Sequence, residues 1–316
     1  MVKDILSLFT VPERTKSGYS FADTPVKISF KESNVVVYGV PLDITTSFGK
    51  GTSRGPEAIR RASARQIETF VLDEKADIYD LVGIFDLGDL KLPKAKKMRS
   101  IAKVLAYLDS SIPKVVASLR NDNKIPVMLG GEHTLSYYQL KALAKEEPVV
   151  IHFDAHRDMK PEYEGLKMCH TTPFYHLMEY IPGENLIQIG IRQADRQEDE
   201  IAAKSGVTTF DAWQVHDDID AVADHLQRAT AGKKIYISFD IDAYDLPYVP
   251  CTGTPEPFGL DPFQVLKLVK AISPSARLIG IDMVEVGLRN GDYREGALAT
   301  QTLYRILSRP YCRAYR

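Results

Sequence analysis

The chain has 316 residues, 44% of them hydrophobic and 26% charged, with a formal net charge of −2. This is long enough for a large buried core, and there is no global basic field to draw nucleic acid or anionic lipid. No apolar window approaches the roughly 18 residues of a membrane span, and the N-terminus lacks a signal-peptide core and cleavage site. Cys169, Cys251 and Cys312 are widely spaced and form neither a zinc pattern nor a disulfide framework, so a reducing cytoplasm is the expected location.

Eight short apolar runs follow one another along the chain: NVVVYGV (34–40), IFDLGD (84–89), IPVMLGG (125–131), PVVIHFD (148–154), NLIQIG (185–190), VTTF (207–210), KIYISFD (234–240) and RLIGIDMVEV (277–286). Their length and Val/Ile content suit strands buried on both faces. Amphipathic stretches lie between several of them. GPEAIRRASARQIETFVL (55–72) opens with Pro56 near its first turn. A long helix is expected from Lys96 to Arg120. DPFQVLKLVKAI places Asp261 as N-cap and Pro262 at the first helical position, and EGALATQTLYRIL closes the series. Strand–helix alternation predicts one domain, 1–316, with a parallel sheet of about eight strands and helices on both faces.

Four strand ends carry unusual chemistry. LGGEHTLSY puts His133 after a pair of glycines, and HFDAHRD puts Asp154, His156 and Asp158 at alternate positions. In an extended segment these three share one side. SFDIDAYD does the same for Asp240 and Asp242, and MVEVG carries Glu285. A single Asp at a strand end is usually a helix cap. Four carboxylates from two buried strands are different, because their mutual repulsion calls for a bound cation. Two His and four Asp suit Mn(II), with bridging carboxylates able to hold two ions about 3.5–4 Å apart. No GxGxxG follows the first run, which removes support for a nucleotide-binding domain.

GGEH, DAHRD and SFDIDAYD…TGTPEP resemble the three signatures of the ureohydrolase (arginase/agmatinase) family. GVPLDITTSFGKGTSRGPEAIRRAS resembles its N-terminal segment, and DLGD (86–89) its following strand end. The resemblance implies a three-layer αβα sandwich with a mainly parallel eight-stranded sheet. It implies two Mn(II) per subunit, one held by His133, Asp154, Asp158 and Asp240, the other by His156, Asp154, Asp240 and Asp242. A water activated between the ions would attack the guanidinium carbon. Asp158 would accept a proton and pass it on, His170 would shuttle protons, Glu285 would bind the guanidinium, and Thr254 would hold Glu285 or the substrate. Tyr163 is a candidate for the substrate mouth. His152 reads as a core hydrogen-bonding residue, His176, His216 and His225 as helix surface or packing residues, and Asp86 and Asp89 as a buttress for the turn near the metals.

The loop DMKPEYEGLKMCH looks like the agmatinase branch, so the expected reaction is agmatine to putrescine and urea. Alternatives are guanidinobutyrate, arginine, aminopropyl agmatine or formiminoglutamate as substrate, or a catalytically silent metabolite-binding relative. Leu246, Cys251 and Thr171 depart from the family pattern in pocket-shaping loops. Lys160 places a cation near the mouth that would repel agmatine's ammonium. The resemblance also implies a homo-oligomer, trimer or hexamer.

Overall fold

The computed structural model describes residues 5–23, 28–93 and 98–310. Cys312 and the expected helix start at Lys96 lie outside them. The strands are β1 (Phe9–Thr10), β2 (Val35–Gly39), β3 (Phe70–Val71), β4 (Ala76–Asp77), β5 (Ile84–Leu90), β6 (Ile125–Leu129), β7 (Val149–Phe153), β8 (Leu186–Ile191), β9 (Thr208–Asp211), β10 (Lys234–Asp240) and β11 (Arg277–Val284). The helices are α1 (Gly55–Arg65), α2 (Ile78–Leu81), α3 (Met98–Asn121), α4 (Thr134–Leu143), α5 (Pro173–Leu177), α6 (Arg196–Lys204), α7 (Ala212–Asp217), α8 (Ile219–Thr230), α9 (Pro262–Ala271) and α10 (Arg294–Leu307).

One sheet runs in the order β1-β5-β2-β6-β11-β10-β7-β8-β9. The eight expected runs supply its eight parallel strands. A ninth, β1, adds antiparallel to β5 at the edge. It is two residues long, too short to leave a period-two pattern. Along the buried strands, successive side chains feed opposite cores: Val35 and Val37 enter one, Val36 and Tyr38 the other. The first core is closed by Ile59 of α1, Leu226 of α8, Leu268 of α9 and Leu303 of α10. The second is closed by Leu108 and Ile112 of α3, Leu135 of α4 and Phe174 of α5. The result is the three-layer sandwich expected of alternating strands and helices.

Capping follows the sequence at α9, where the Asp261 carboxylate accepts from Phe263 N at 2.7 Å and Gln264 N at 2.9 Å. The helix expected over 55–72 stops early, at Arg65. Ile67 folds back onto the core, and Phe70 and Val71 pair with Asp77 and Ala76 in a small hairpin. The helical spacing of Ile67 and Phe70 is therefore overridden by tertiary packing. Asp86 and Asp89 lie away from the metal ligands in their bonding. Both hold the buried guanidinium of Arg60, with Nε to Asp86 Oδ2 at 2.8 Å and Nη1 to Asp89 Oδ1 at 2.5 Å.

Sheet order has one consequence for function. The carboxyl ends of β6, β11, β10 and β7, which are neighbours in the sheet, all open onto the same side, where parallel sheets place their sites.

Candidate metal centre

His133 stands between β6 and α4, Asp154 just past β7, and Asp240 at the end of β10. The Nδ1 atom of His133 lies 3.0 Å from Asp154 Oδ2, 2.9 Å from Asp158 Oδ2 and 3.2 Å from Asp240 Oδ2. Beside this group, His156 Nδ1 lies 3.2 Å from Asp242 Oδ2 and 3.5 Å from Asp154 Oδ1. All six expected ligands thus converge in two lobes that share Asp154. Asp240 contacts His133 in the first lobe, while its Oδ1 accepts Asp242 N–H at 2.8 Å.

The convergence is not that of an extended strand. β7 ends at Phe153, and Asp158 has a left-handed backbone, φ 53°. Asp242 sits in a 3-10 turn, Ile241–Ala243. Turns aim the carboxylates inward, and they are locked by backbone donors: His156 N to Asp154 Oδ1 at 2.6 Å and Ala155 N to Asp242 Oδ1 at 3.0 Å. A non-glycine residue at positive φ is strained, and such strain gathers at functional sites. Glu285, at φ 57°, shares it.

The donor set fits divalent cations. His133 Nδ1 is buried and faces three carboxylate oxygens, whereas one N–H can serve a single acceptor well; a cation can be shared by all three. The ring's other side decides its tautomer. Ser238 Oγ donates to Asp282 Oδ1 at 2.8 Å, so its lone pair is left to accept His133 Nε2–H at 3.1 Å. In the neutral ring that leaves Nδ1 bare and directed at the three carboxylates, free to meet a cation. Asp282 also accepts from Tyr236 Oη at 2.5 Å, Tyr236 accepts from Gln139 Nε2 at 2.7 Å, and Gln139 Oε1 accepts from Tyr38 Oη at 2.5 Å. The chain of donors from Tyr38 through Gln139 and Tyr236 ends on Asp282, and the second N–H of Gln139 is taken by Ile281 O at 2.8 Å.

Electrostatics agree. Burial pushes Asp158 up to about 7, with Asp154 beside it adding to the shift. His133 is buried and His156 partly so, which opposes protonation, yet the carboxylates raise both well above the usual imidazole range. The cluster as a whole demands positive charge. His152 is the core residue its position suggested. Gln188 Nε2 donates to its Nδ1 at 3.2 Å, so its Nε2–H donates to Asp154 Oδ2 at 2.7 Å.

A cavity of about 330 Å³ opens over the ligands, lined by His133, His156, Asp158 and Asp240 together with Glu285, His170, Tyr163 and Thr254. Glu285 Oε1 accepts His133 N–H at 2.8 Å, while its buried Oε2 has no hydrogen-bond partner among the described residues. A Cβ on Gly253 would come within 3.0 Å of that oxygen, which gives the glycine of the TGTPEP segment a steric reason. The His170 ring is buried, with its Nε2 3.1 Å from Ser47 Oγ. Burial, then His156 and His133, hold it down at about 4, so it is neutral at pH 7. Tyr163 meets it edge-on at 6.2 Å between centroids. Thr254 reaches Asp242 Oδ2 at 3.5 Å rather than Glu285. His176, His216 and His225 belong to packing: the first two meet backbone carbonyls of Pro161 and Gly259, and the third meets Phe210 edge-on.

Lys160 is not the free cation the sequence suggested. Its ammonium pairs with Asp195 and lies 3.0 Å from Glu198 Oε2. Those two residues form the capping box of α6. Glu256, unassigned from sequence, adds a third carboxylate to the rim, 3.8 Å from His156 Nε2. One cation against three carboxylates leaves the mouth negative. Asp282 had a legible signal, a carboxylate inside an otherwise apolar buried strand. Ser47 and Glu256 lay inside the family-like segments GVPLDITTSFGKG and TGTPEP, but nothing in their own spacing marked them as site residues.

A model of the arginase family matches residues 33–307. The agmatinase of Bacillus cereus is 36% identical over 262 residues, covering 82% of this chain and 85% of that protein. The N(1)-aminopropylagmatine ureohydrolase of Thermus thermophilus is 35% identical over 287 residues, 90% of this chain and 92% of that one. The crystal structure of the agmatine ureohydrolase of Thermoplasma volcanium superposes with a TM-score of 0.81 at 28% identity, covering 99% of this chain and 98% of that chain. With two lobes of His and Asp side chains at the carboxyl ends of a parallel sheet, and this agreement along nearly its whole length, the chain belongs to the arginase family and is an amidinohydrolase.

Proposed function

We propose that the chain hydrolyses agmatine to putrescine and urea with two Mn(II). The observation that carries this reading is the pairing of the ligand cluster with the unpartnered Glu285 Oε2 across one cavity. When bound, two manganese ions supply the Lewis acidity that makes a water nucleophilic near neutral pH. His133, Asp154, Asp158 and Asp240 would hold one, and His156, Asp154, Asp240 and Asp242 the other.

The remaining work falls to the chain's own groups. Glu285 is anchored through Oε1 and offers Oε2 as a charge-assisted acceptor to the guanidinium. Asp158, whose Oδ2 faces the cluster 2.9 Å from His133 Nδ1 and which also lines the cavity, accepts a proton as the nucleophile forms and passes it toward the departing nitrogen. His170, neutral and buried beside the cavity, serves the same transfer toward solvent. Tyr163 and Thr254 line the substrate's path.

Charge at the mouth supports a cationic tail. With Lys160 engaged by Asp195 and Glu198, Glu256 is placed to receive an ammonium, and a carboxylate tail would meet repulsion. The same charge argument extends to the longer polycation aminopropylagmatine, a second reading favoured by the length of the match to the Thermus ureohydrolase. The test is urea release by the manganese-loaded protein from agmatine, aminopropylagmatine, arginine and guanidinobutyrate, with formamide release from formiminoglutamate. The highest kcat/KM belongs to agmatine. Faster turnover of guanidinobutyrate or arginine refutes the cationic-tail reading, and no turnover of any guanidine at full metal loading refutes the enzyme.

A further inference from the structure

The loop between β2 and α1 resembles the family's N-terminal segment, yet none of the residues assigned above comes from it. It is fixed at three places. Asp43 folds it on itself, with Oδ1 accepting Thr46 Oγ1–H at 2.7 Å and Oδ2 accepting Gly51 N–H at 2.6 Å. The buried carboxylate of Glu132, between Gly131 and the ligand His133, accepts from Ile44 N at 2.6 Å, Thr45 N at 2.7 Å and Thr45 Oγ1 at 2.7 Å. Gly49 N donates to Gly253 O at 2.9 Å, and a Cβ on Gly49 would stand 2.6 Å from that same oxygen.

Two side chains of this pinned loop meet His170. Thr45 Oγ1 accepts His170 N–H at 3.1 Å while donating to Glu132, which ties the His170 backbone to the carboxylate next to a metal ligand. Ser47 Oγ stands 3.1 Å from His170 Nε2, and His170 Nδ1 has no partner among the described residues. Tyr163 meets the imidazole edge-on, and among the described residues only Ser47 bonds one of its ring nitrogens. A hydroxyl suits that place because it can donate to a bare Nε2 or accept from Nε2–H, so its bond survives a change of tautomer or charge. A carboxylate could only accept.

We propose that Ser47 is the positioning residue for His170, its hydroxyl carried on the Asp43–Gly51 loop that Glu132 pins and holding the imidazole in one orientation through proton transfer. This rests on the reading of His170 as a proton-transfer group. The experiment is a double-mutant cycle in the manganese-loaded protein with agmatine: Ser47→Ala, Ser47→Thr, His170→Ala, and Ser47→Ala combined with His170→Ala. Loss of one neutral hydrogen bond predicts a fall in kcat of about five- to tenfold for Ser47→Ala. KM, manganese content and melting temperature stay at the unmutated values, and Ser47→Thr restores most of kcat. His170→Ala alone costs about 10²-fold or more, and adding Ser47→Ala to it costs nothing further. An equal loss from Ser47→Ala in both backgrounds overturns the proposal, as does a loss confined to KM or to metal content. A His170→Ala protein with full kcat overturns the proton-transfer reading itself, and the cycle separates the two failures.

Discussion

Replacing Asp282 by Asn should weaken the proposed manganese binding without touching a candidate ligand. Asp282 receives two donors, Ser238 Oγ–H at 2.8 Å and Tyr236 Oη–H at 2.5 Å. An asparagine has one oxygen to accept and turns its NH₂ toward the other donor. If Tyr236 keeps the oxygen, Ser238 rotates its hydroxyl toward its nearest remaining acceptor, His133 Nε2 at 3.1 Å, in preference to Ser136 Oγ at 3.5 Å. That forces the proton of His133 onto Nδ1, aimed at Asp154, Asp158 and Asp240, where the cation should sit. Groups behind a metal-bound histidine typically contribute 10–100-fold in affinity, or about 1.4–2.8 kcal/mol at 1.4 kcal/mol per decade. Asp282→Asn falls at the upper end because the wrong tautomer is favoured. Ser238→Ala falls near the lower end because Nε2–H loses its acceptor but Nδ1 stays bare. Calorimetric titration of the metal-free proteins with Mn(II) reads both. Asp282→Asn with manganese affinity within twofold of the unmutated chain, in a protein with unchanged melting temperature, would falsify the tautomer argument.

Three further perturbations test other parts of the structure. Glu285→Gln keeps an acceptor for His133 N–H but turns a donor toward the guanidinium; kcat/KM for agmatine should fall about 10²-fold or more while manganese content holds, and an undiminished kcat/KM removes Glu285 from substrate binding. Arg60→Met leaves Asp86 and Asp89 without their buried partner, a loss of about 3–5 kcal/mol; denaturant unfolding showing less than about 1 kcal/mol contradicts that account. Glu256→Gln should raise KM several-fold for agmatine and leave an uncharged alkylguanidine unaffected, and equal effects on both would show that Glu256 does not read the tail.

The eight parallel strands were legible because a strand buried on both faces is apolar throughout, and the motifs at their ends stood out against it. What the sequence concealed were features set by turns and by distant partners. Asp158 reaches the cluster through a left-handed residue rather than by strand alternation. Lys160 looked like a free cation because Asp195 and Glu198, 35 and 38 positions away, neutralise it only once α6 is docked. Glu132 was visible inside GGEH, but its partners Ile44 and Thr45 lie nearly 90 residues earlier. The early end of α1 shows the reverse: a correct helical pattern cut short because Ile67 finds a better place in the core than on the helix.

Sheet order explains why the site is split among motifs so far apart. β10 and β11, late in the chain, insert between β6 and β7, which are consecutive in sequence. The connection from β6 through α4 to β7 therefore passes over two strand widths, and the gap it leaves is filled by the strands bearing Asp240, Asp242 and Glu285. His133 is on one side of the inserted pair and Asp154, His156 and Asp158 on the other. Neither half gathers enough candidate ligands alone: the Nδ1 of His133 faces Asp154, Asp158 and Asp240 only once β10 and β7 are in place. The metal centre is then a product of the completed sheet. Its ligand carboxylates repel one another where the inserted strands meet their neighbours, so cation binding should strengthen the pairing of β10 with β7. Hydrogen exchange in the two metal states tests this. Chelation should speed exchange of the β10 and β7 amides more than those of the β2–β5 pair at the far side of the sheet, and uniform protection in both states contradicts it.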